Sequence, residues 1–390
     1  MRRSTGLARP RAFYVGESSG TIVWPMKYDV SEIAAQFDLP GVFRSAELYG
    51  SGHINDTYVV SHDSSSVPIR FIVQRINHHV FRSPIALMEN VGRVTRHLRQ
   101  RMLGSGVEGI DRRVLTLMPT KAGGDYHQDD NGNVWRTFAF IEGARTHDTM
   151  RSEAQAYETA KAFGHFQSQL TDLPGPRLHE TIPDFHHSRR RFDVFADAVR
   201  TDPLGRAALA EPEIEFALRN EPIVDVLLCL HAAGDIPERV THNDTKLNNV
   251  MIDDESGEGI CVIDLDTVMP GLTLYDFGDM VRSATSPTEE DEWDLSKVVM
   301  RMSMFEALTS GYLAALEDVL NSAERELLPF AGRLITFECG IRFLTDFLVG
   351  DAYFKTQRDA HNLDRARTQF KLVESIMAQE DQMKRFVAGA

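Results

Sequence analysis

Two short stretches of this chain carry the residue types of a phosphoryl-transfer centre. The first runs from Val240 to Ile252 and contains His242-x-Asp244-x-Lys246-x-x-Asn249. The second, Ile260-Cys-Val-Ile-Asp-Leu-Asp266, brings Asp264 to the end of an apolar run, twenty residues after Asp244. Moving a γ-phosphoryl group asks for little covalent chemistry, because the transition state is loose and rich in charge. It asks instead for an aligned hydroxyl and for cations against the phosphate oxygens. Asp244 can orient the hydroxyl and take its proton, and Lys246 can meet the phosphate as a point charge. Asn249 and Asp264 are hard oxygen ligands of the kind Mg²⁺ takes while keeping water and phosphates in its other positions. Each half alone has an ordinary alternative, a helix N-cap before Leu247 and an unrelated strand end. Both together, in this order, point to transfer from a nucleoside triphosphate.

Such a centre needs a layer to cover the nucleotide and a scaffold to hold the loop. Val30 to Phe37 reads as a short helix ended by Leu39-Pro40-Gly41. Phe43–Tyr49 and Thr57–Ser61 read as strands joined through Gly50-Ser51-Gly52-His53, a glycine-bearing turn that can lay backbone amides over phosphates. Ile69–Ile76 is a β-rich run without a lysine; Gln74 and Arg75 point to opposite faces, and Arg75 is taken to face the cleft with Val73 beside it over the base. Ser83-Pro84 opens a helix to about Met102, in which Glu89 either pairs with the strand cation, as in protein kinases, or is a solvated first-turn acid, the reading that helix starts favour. Val114–Pro119 and Val134–Ile141 read as strands, and Phe138-Ala-Phe140-Ile141-Glu142-Gly143 leaves the sheet as a hinge whose backbone could meet adenine. From Ser152 the period is helical, over 152–170, 189–200, 213–233, 293–319, 324–349 and 363–387, interrupted by the hairpin around 250–265. Strands first and helices later give an α+β, bilobal expectation: a disordered arm over 1–25, a nucleotide-binding lobe over 26–143 and a catalytic, acceptor-binding lobe over 144–390.

With 390 residues, 42% of them hydrophobic, the chain can build a large core. A net charge of −15 disfavours nucleic acid or an anionic membrane as partner, and no protein partner is implied. Three distant cysteines, Cys229, Cys261 and Cys339, fit reduced thiols in a cytoplasmic protein. The apolar stretch Leu327 to Gly350 is interrupted by Arg333, Glu338, Arg342 and Asp346, so it reads as a packed helix rather than a membrane span.

The strings His242-Asn-Asp-Thr-Lys-Leu-Asn-Asn249, Ile263-Asp-Leu-Asp-Thr-Val-Met-Pro-Gly271 and Leu274-Tyr-Asp-Phe-Gly-Asp279 resemble the aminoglycoside phosphotransferase/choline kinase superfamily. Gly50-Ser-Gly-His-Ile-Asn55, Gln74-Arg-Ile76, Glu338-Cys-Gly-Ile-Arg342 and Gly350-Asp-Ala-Tyr-Phe354 make the likeness greatest to its N-acetylhexosamine 1-kinase branch, over residues 27 to 385. The resemblance implies ATP and Mg²⁺, with Asp244 as catalytic carboxylate, Asn249 and Asp264 as magnesium ligands, and the anomeric hydroxyl of an N-acetylhexosamine as acceptor. That hydroxyl is more acidic than an ordinary one, so a weak carboxylate base suffices.

A sugar also needs polar contacts and an apolar ring face. Arg342 can reach its hydroxyls or N-acetyl carbonyl if Glu338 and Asp346, one turn to either side, hold it; a plain intrahelical salt-bridge ladder is the alternative. Tyr353 can supply ring and hydroxyl, and His53 can touch the acceptor. His186-His187 reads as a surface loop, and Asp276 as a carboxylate bracing the metal loop. The competing expectations are a kinase for aminoglycosides, choline-like molecules or another sugar, and a catalytically inactive kinase fold that only binds. The first wants acids or an aromatic cage around a cation; the second wants Asp244, Asn249 or Asp264 lost.

Overall fold

The structure, a computed structural model, describes residues 27–50, 54–64 and 67–390. The expected arm over 1–25 and the readings of Ser51, Gly52 and His53 lie outside the described residues.

The first half is built by alternation. After the short helix α1 (Val30–Ala34) come β1 (Val42–Leu48), β2 (Asp56–Asp63) and β3 (Ile69–Arg75), then helices α2 (Pro84–Gly104) and α3 (Ile110–Arg113), then β4 (His127–Gln128) and β5 (Val134–Ala139). The strands form one antiparallel sheet in the order β1-β2-β3-β5-β4. On one face Tyr58, Val60, Val73 and Trp135 pack against Val30, Ala34 and Phe37. On the other, Phe138 joins Leu87, Val91 and Val94 of α2 in the main core, with Ile72 packed against them. The segment 114–119 does not become a strand of its own. It touches β5 through a single bridge, Leu117 to Phe138, flanked by bonds from Met118 N to Thr137 O and Ala139 N to Thr116 O.

The chain leaves this sheet through Phe140–Gly143, and β6 (Ala144–Arg145) already pairs with the later hairpin. Helices α4 (Glu153–Gln169), α5 (Ser188–Thr201), α6 (Glu211–Arg219) and α7 (Val226–Ala233) precede β7 (Arg239–Thr241), β8 (Val250–Asp253), β9 (Gly259–Val262) and β10 (Met269–Gly271). These short strands make a β6-β8-β9 sheet and a β10-β7 pair. Then follow α8 (Thr273–Ala284), α9 (Met302–Leu316), α10 (Ser322–Glu326), α11 (Leu328–Val349) and α12 (His361–Gly389). The continuous helix read over 213–233 is broken at Asn220–Ile223, where Pro222 lacks the amide a helix interior requires. Likewise 324–349 is two helices, with Pro329 in the first turn of α11. Within 293–301 only Leu295–Lys297 form a 3₁₀ turn, capped by Asp294, and α9 begins only at Met302. Among the described residues no helix is long and apolar enough to cross a membrane.

The helical part closes around Phe277, Phe305 and Tyr312, whose rings lie 5.9 and 5.2 Å from Phe277. Helices α4 and α9 approach most closely at Gly311, where an added Cβ would stand 2.2 Å from the Tyr157 carbonyl oxygen. Gly311→Ala gains helix propensity but must push the two backbones apart, and overpacking outweighs propensity. It is expected to lose about 1–2 kcal/mol net, read as a lowered midpoint in urea; an unchanged midpoint would show that α4 and α9 can separate freely.

Candidate active site

The loop after β7 turns on Asn243, whose φ of +65° is left-handed, a conformation asparagine tolerates better than most residues. A buried carboxylate on α8 holds it there. Asp276 accepts from the main-chain amides of His242 (2.8 Å) and Asn243 (2.7 Å), and its own carbonyl accepts from Thr245 Oγ1 at 2.6 Å. Burial pushes the Asp276 pKa up, against the pull of His242 and these amides. Gln167 donates to the same carboxylate, and Tyr312 donates to Gln167 at 2.6 Å. The imidazole of His242 ties the loop to the metal hairpin: Nε2–H donates to Ile263 O at 2.9 Å, while Nδ1 accepts from Asp244 N at 3.3 Å.

This scaffold brings Asp244, Lys246, Asn249 and Asp264 together. Lys246 Nζ lies 2.8 Å from Asp244 Oδ1. Desolvation pushes the Asp244 pKa up, but Lys246 outweighs it and holds the carboxyl at about 2; the same contact raises Lys246. Asn249 Nδ2 donates to Asp244 O (2.8 Å) and Oδ2 (3.1 Å), so its amide oxygen is turned away and available to a cation. Ile263 N donates to Asn249 O at 2.9 Å, which locks the asparagine to the hairpin that ends at Asp264. Asp264 itself has a φ of +57° and is exposed. Loss of solvation, then the like charges of Asp266 and Asp244, push its pKa up against the pull of Arg136 and Lys246. A carboxylate so placed, beside a free amide oxygen, has the donor chemistry for a divalent cation.

On the sheet side the expectation for Arg75 is overturned. Arg75 shares a face with Val73, away from the cleft, where it pairs with Asp56 at 2.6 Å and lies 5.4 Å over the Tyr28 ring. The pleat puts Ile72 and Gln74 on the cleft side instead. The cation there is Arg136 of β5, which sequence reasoning missed. It stands opposite Gln74, donates Nε to Gln74 Oε1 (3.0 Å) and pairs with Asp266 at 2.5 Å. A signal was present: Arg136 is the one charge in Val134-Trp-Arg-Thr-Phe-Ala139, and a charge inside a buried strand must be paired.

Gly50 keeps a φ of +78° at the start of the glycine turn. Phe140 donates its amide to Arg70 O at 3.2 Å, and its ring lies between the Arg70 guanidinium (3.8 Å) and Tyr49 (5.7 Å). Ile141 is buried. Glu142 pairs with Arg70, and its carbonyl accepts from Arg112 at 2.9 Å.

The acceptor-side expectations change more. Glu338, Arg342 and Asp346 form no ladder. Asp346 is buried and accepts from the amides of Ala352, Tyr353 and Phe354 at 2.8–2.9 Å and from Asn362 at 2.9 Å, so its carboxylate shapes the loop and has no oxygen left for a ligand. Tyr353 on that loop is 60% exposed. Glu338 faces the buried His186 instead, 2.8 Å from Nδ1, and His186 Nε2 meets Asn243 O at 3.2 Å. The surface-loop expectation for His186 therefore fails; it is a strut between α11 and the catalytic loop. Arg342 stacks 5.2 Å from Phe185 and 5.7 Å from Phe354, and among the described residues it makes no hydrogen bond or ion pair. Arg191 stands near it; burial, then repulsion by Arg342, lowers its pKa.

The phosphotransferase enzyme family matches this chain over residues 45–301. A solved aminoglycoside phosphotransferase from Alicyclobacillus acidocaldarius superposes with a TM-score of 0.61 at 12% identity, over 95% of this chain and 98% of that one. A spectinomycin phosphotransferase solved with ADP and spectinomycin gives 0.55 at 13% identity, over 92% and 100%. Choline kinase from Cryptosporidium parvum gives 0.55 at 13% identity, over 92% and 96%. At such identities the likeness establishes the fold, a kinase-like one with an antiparallel sheet lobe and a larger helical part.

The Asp244–Lys246 contact has a pH signature. A carboxyl held near 2 in the fold, against 3.8 when free, contributes stability above pH 3.8 that is lost as pH falls toward 2. The thermal midpoints of wild type and Lys246→Met should therefore differ by a constant amount above about pH 5 and converge below about pH 4. A gap that stays constant down to pH 2 would show that the pair does not set the Asp244 titration.

Proposed function

We propose, from the premise that the chain belongs to the phosphotransferase enzyme family, that it transfers the γ-phosphate of ATP to the anomeric hydroxyl of an N-acetylhexosamine. The observation that carries the acceptor class is Arg342. A guanidinium held by two aromatic rings, and paired with no acid among the described residues, is a poor neighbour for a cationic aminoglycoside or choline, and a good one for hydroxyls and an amide carbonyl. It lies one helical turn from Glu338, which is linked through His186 to the residue before Asp244.

In this reading Asp244 orients the acceptor hydroxyl and receives its proton as the oxygen bonds to the γ-phosphorus and the bond to ADP breaks. A carboxylate with a pKa of about 2 is a weak base. That suits a loose transition state, in which the hydroxyl keeps its proton until bond formation is advanced, and an acceptor hydroxyl already acidified by the ring oxygen. Lys246 keeps Asp244 ionised and offers its charge to the phosphate. Asn249 and Asp264 would hold Mg²⁺, which neutralises phosphate charge when bound. Tyr353 supplies an exposed ring for the acceptor, with Asp346 as the residue that positions it. Phe140, Ile141 and Glu142 would border the base and Gly50 the phosphates; for Ser51, Gly52 and His53 the phosphate and acceptor roles rest on the sequence alone.

Purified protein should phosphorylate N-acetylglucosamine or N-acetylgalactosamine in preference to choline and to aminoglycosides. Asp244→Asn should lower kcat by about 10²- to 10⁴-fold while ADP binding is retained. Turnover confined to the cationic acceptors would overturn the assignment, and full activity in Asp244→Asn would remove the aspartate from the centre.

A further inference from the structure

Asp266 has two carboxylate oxygens, and each is taken by a different part of the sheet lobe. Oδ1 meets Arg136 of β5 at 2.5 Å, and Oδ2 accepts from Asn55 Nδ2 at 2.6 Å. Its main-chain oxygen accepts from Thr181 Oγ1 of the helical part at 2.8 Å. The carboxylate and the guanidinium are each 2% exposed. Asn55 lies directly beyond the glycine turn and is itself fixed, since its Oδ1 accepts from Asn77 N at 3.0 Å. Arg136 is fixed through Gln74, which in turn donates to Thr57 Oγ1 at 3.0 Å. A single side chain therefore joins β2, β3, β5 and Asn55 to the hairpin that carries Asp264 two residues earlier.

We propose that Arg136 and Asp266 are the lobe-coupling ion pair of this protein, holding the sheet and Asn55 against the hairpin that carries Asp264, so that a bound nucleotide meets both at once. In protein kinases the ion pair that must be in place for catalysis runs from a lysine on the third strand to a glutamate of the helix that follows. Here the third strand offers Gln74, and Glu89 of α2 is paired with His179 instead. The cation has moved one strand along, and its acid has moved to the metal hairpin. Arg136 and Asp266 are positioning residues: they act on the nucleotide through Asn55 and Asp264. Breaking a buried pair leaves an uncompensated charge, so loss of stability alone would not separate this role from a merely structural one. Nucleotide affinity measured without turnover does.

The inference rests on the kinase reading, and the experiment keeps the two apart. ADP with Mg²⁺ is titrated calorimetrically into wild type, Arg136→Met, Asp266→Asn and the double variant, and KM is measured for ATP and for the acceptor. The dissociation constant for ADP and the KM for ATP should rise about tenfold in each single variant, with the double variant no worse than either. The acceptor KM should stay within about twofold of wild type. If Arg136→Met does not fold, Arg136→Lys and Asp266→Glu, which keep both charges but shift the contact, should show the same nucleotide-only effect to a smaller degree. Variants that bind ADP as wild type does while only their thermal midpoints fall would overturn the inference. So would single effects that simply add in the double variant. Wild-type protein that fails to bind ADP at all would sink the kinase reading, and this inference with it.

Discussion

One buried carboxylate accepting two adjacent main-chain amides is the constraint on which the centre depends. The loop at 242–244 cannot satisfy these amides in a strand or a helix, because Asn243 is left-handed and the chain reverses there. Asp276 takes both, and a charged acceptor makes such bonds stronger than neutral ones. The loop thereby has one conformation, and His242 carries that order to Ile263 and so to Asp264. Tyr312 and Gln167 extend it into the helical core. The loop at 242–244, the hairpin that leads to Asp264 and the bundle are thus parts of one hydrogen-bonded unit.

The same unit concentrates negative charge, and the distribution of partners explains what remains. Asp244 has Lys246, Asp266 has Arg136 and Asn55, Asp279 has Arg282, and Asp276 has its amides. Among the described residues Asp264 makes no ion pair, and it is exposed. Of these five carboxylates, Asp264 alone lacks a protein partner among the described residues, which leaves its charge to be compensated from solution. Asn249 adds the second oxygen because its amide hydrogens are already committed to Asp244.

Local spacing made the centre legible. Asp244, Lys246 and Asn249 lie within six residues, and Asp264 on the following hairpin, so no long-range packing had to be known to group them. The bilobal architecture was legible for a similar reason: alternation gives way to helical period near Ser152 and does not return for long. What failed depends on parity or on distance. A period of two decides whether Arg75 or Gln74 faces the cleft, and a run of seven residues with both faces partly buried does not reveal which. His186 and Glu338 are 152 residues apart, so neither betrays the other in the sequence. Asp346 was misread because helical spacing puts it beside Arg342, whereas its carboxylate reaches forward to cap the loop beyond Gly350.

The missing strand lysine shows how little of a phosphoryl-transfer site is fixed to a particular element. What the phosphates require is a sheet held at constant height over the metal, and any buried charge pair that spans the gap can hold it. Arg136 has a planar fork that binds Gln74 and Asp266 at once, which a lysine on the neighbouring strand could not do in the same rigid geometry. The acceptor side follows the same logic in reverse. Arg342 is oriented by two ring faces rather than by a carboxylate. Stacking restricts the plane of the guanidinium while leaving its edge N–H groups unspent, so they can be satisfied by an acceptor's oxygens. An arginine neutralised by an acid would have been firmer in place but closed to such a ligand.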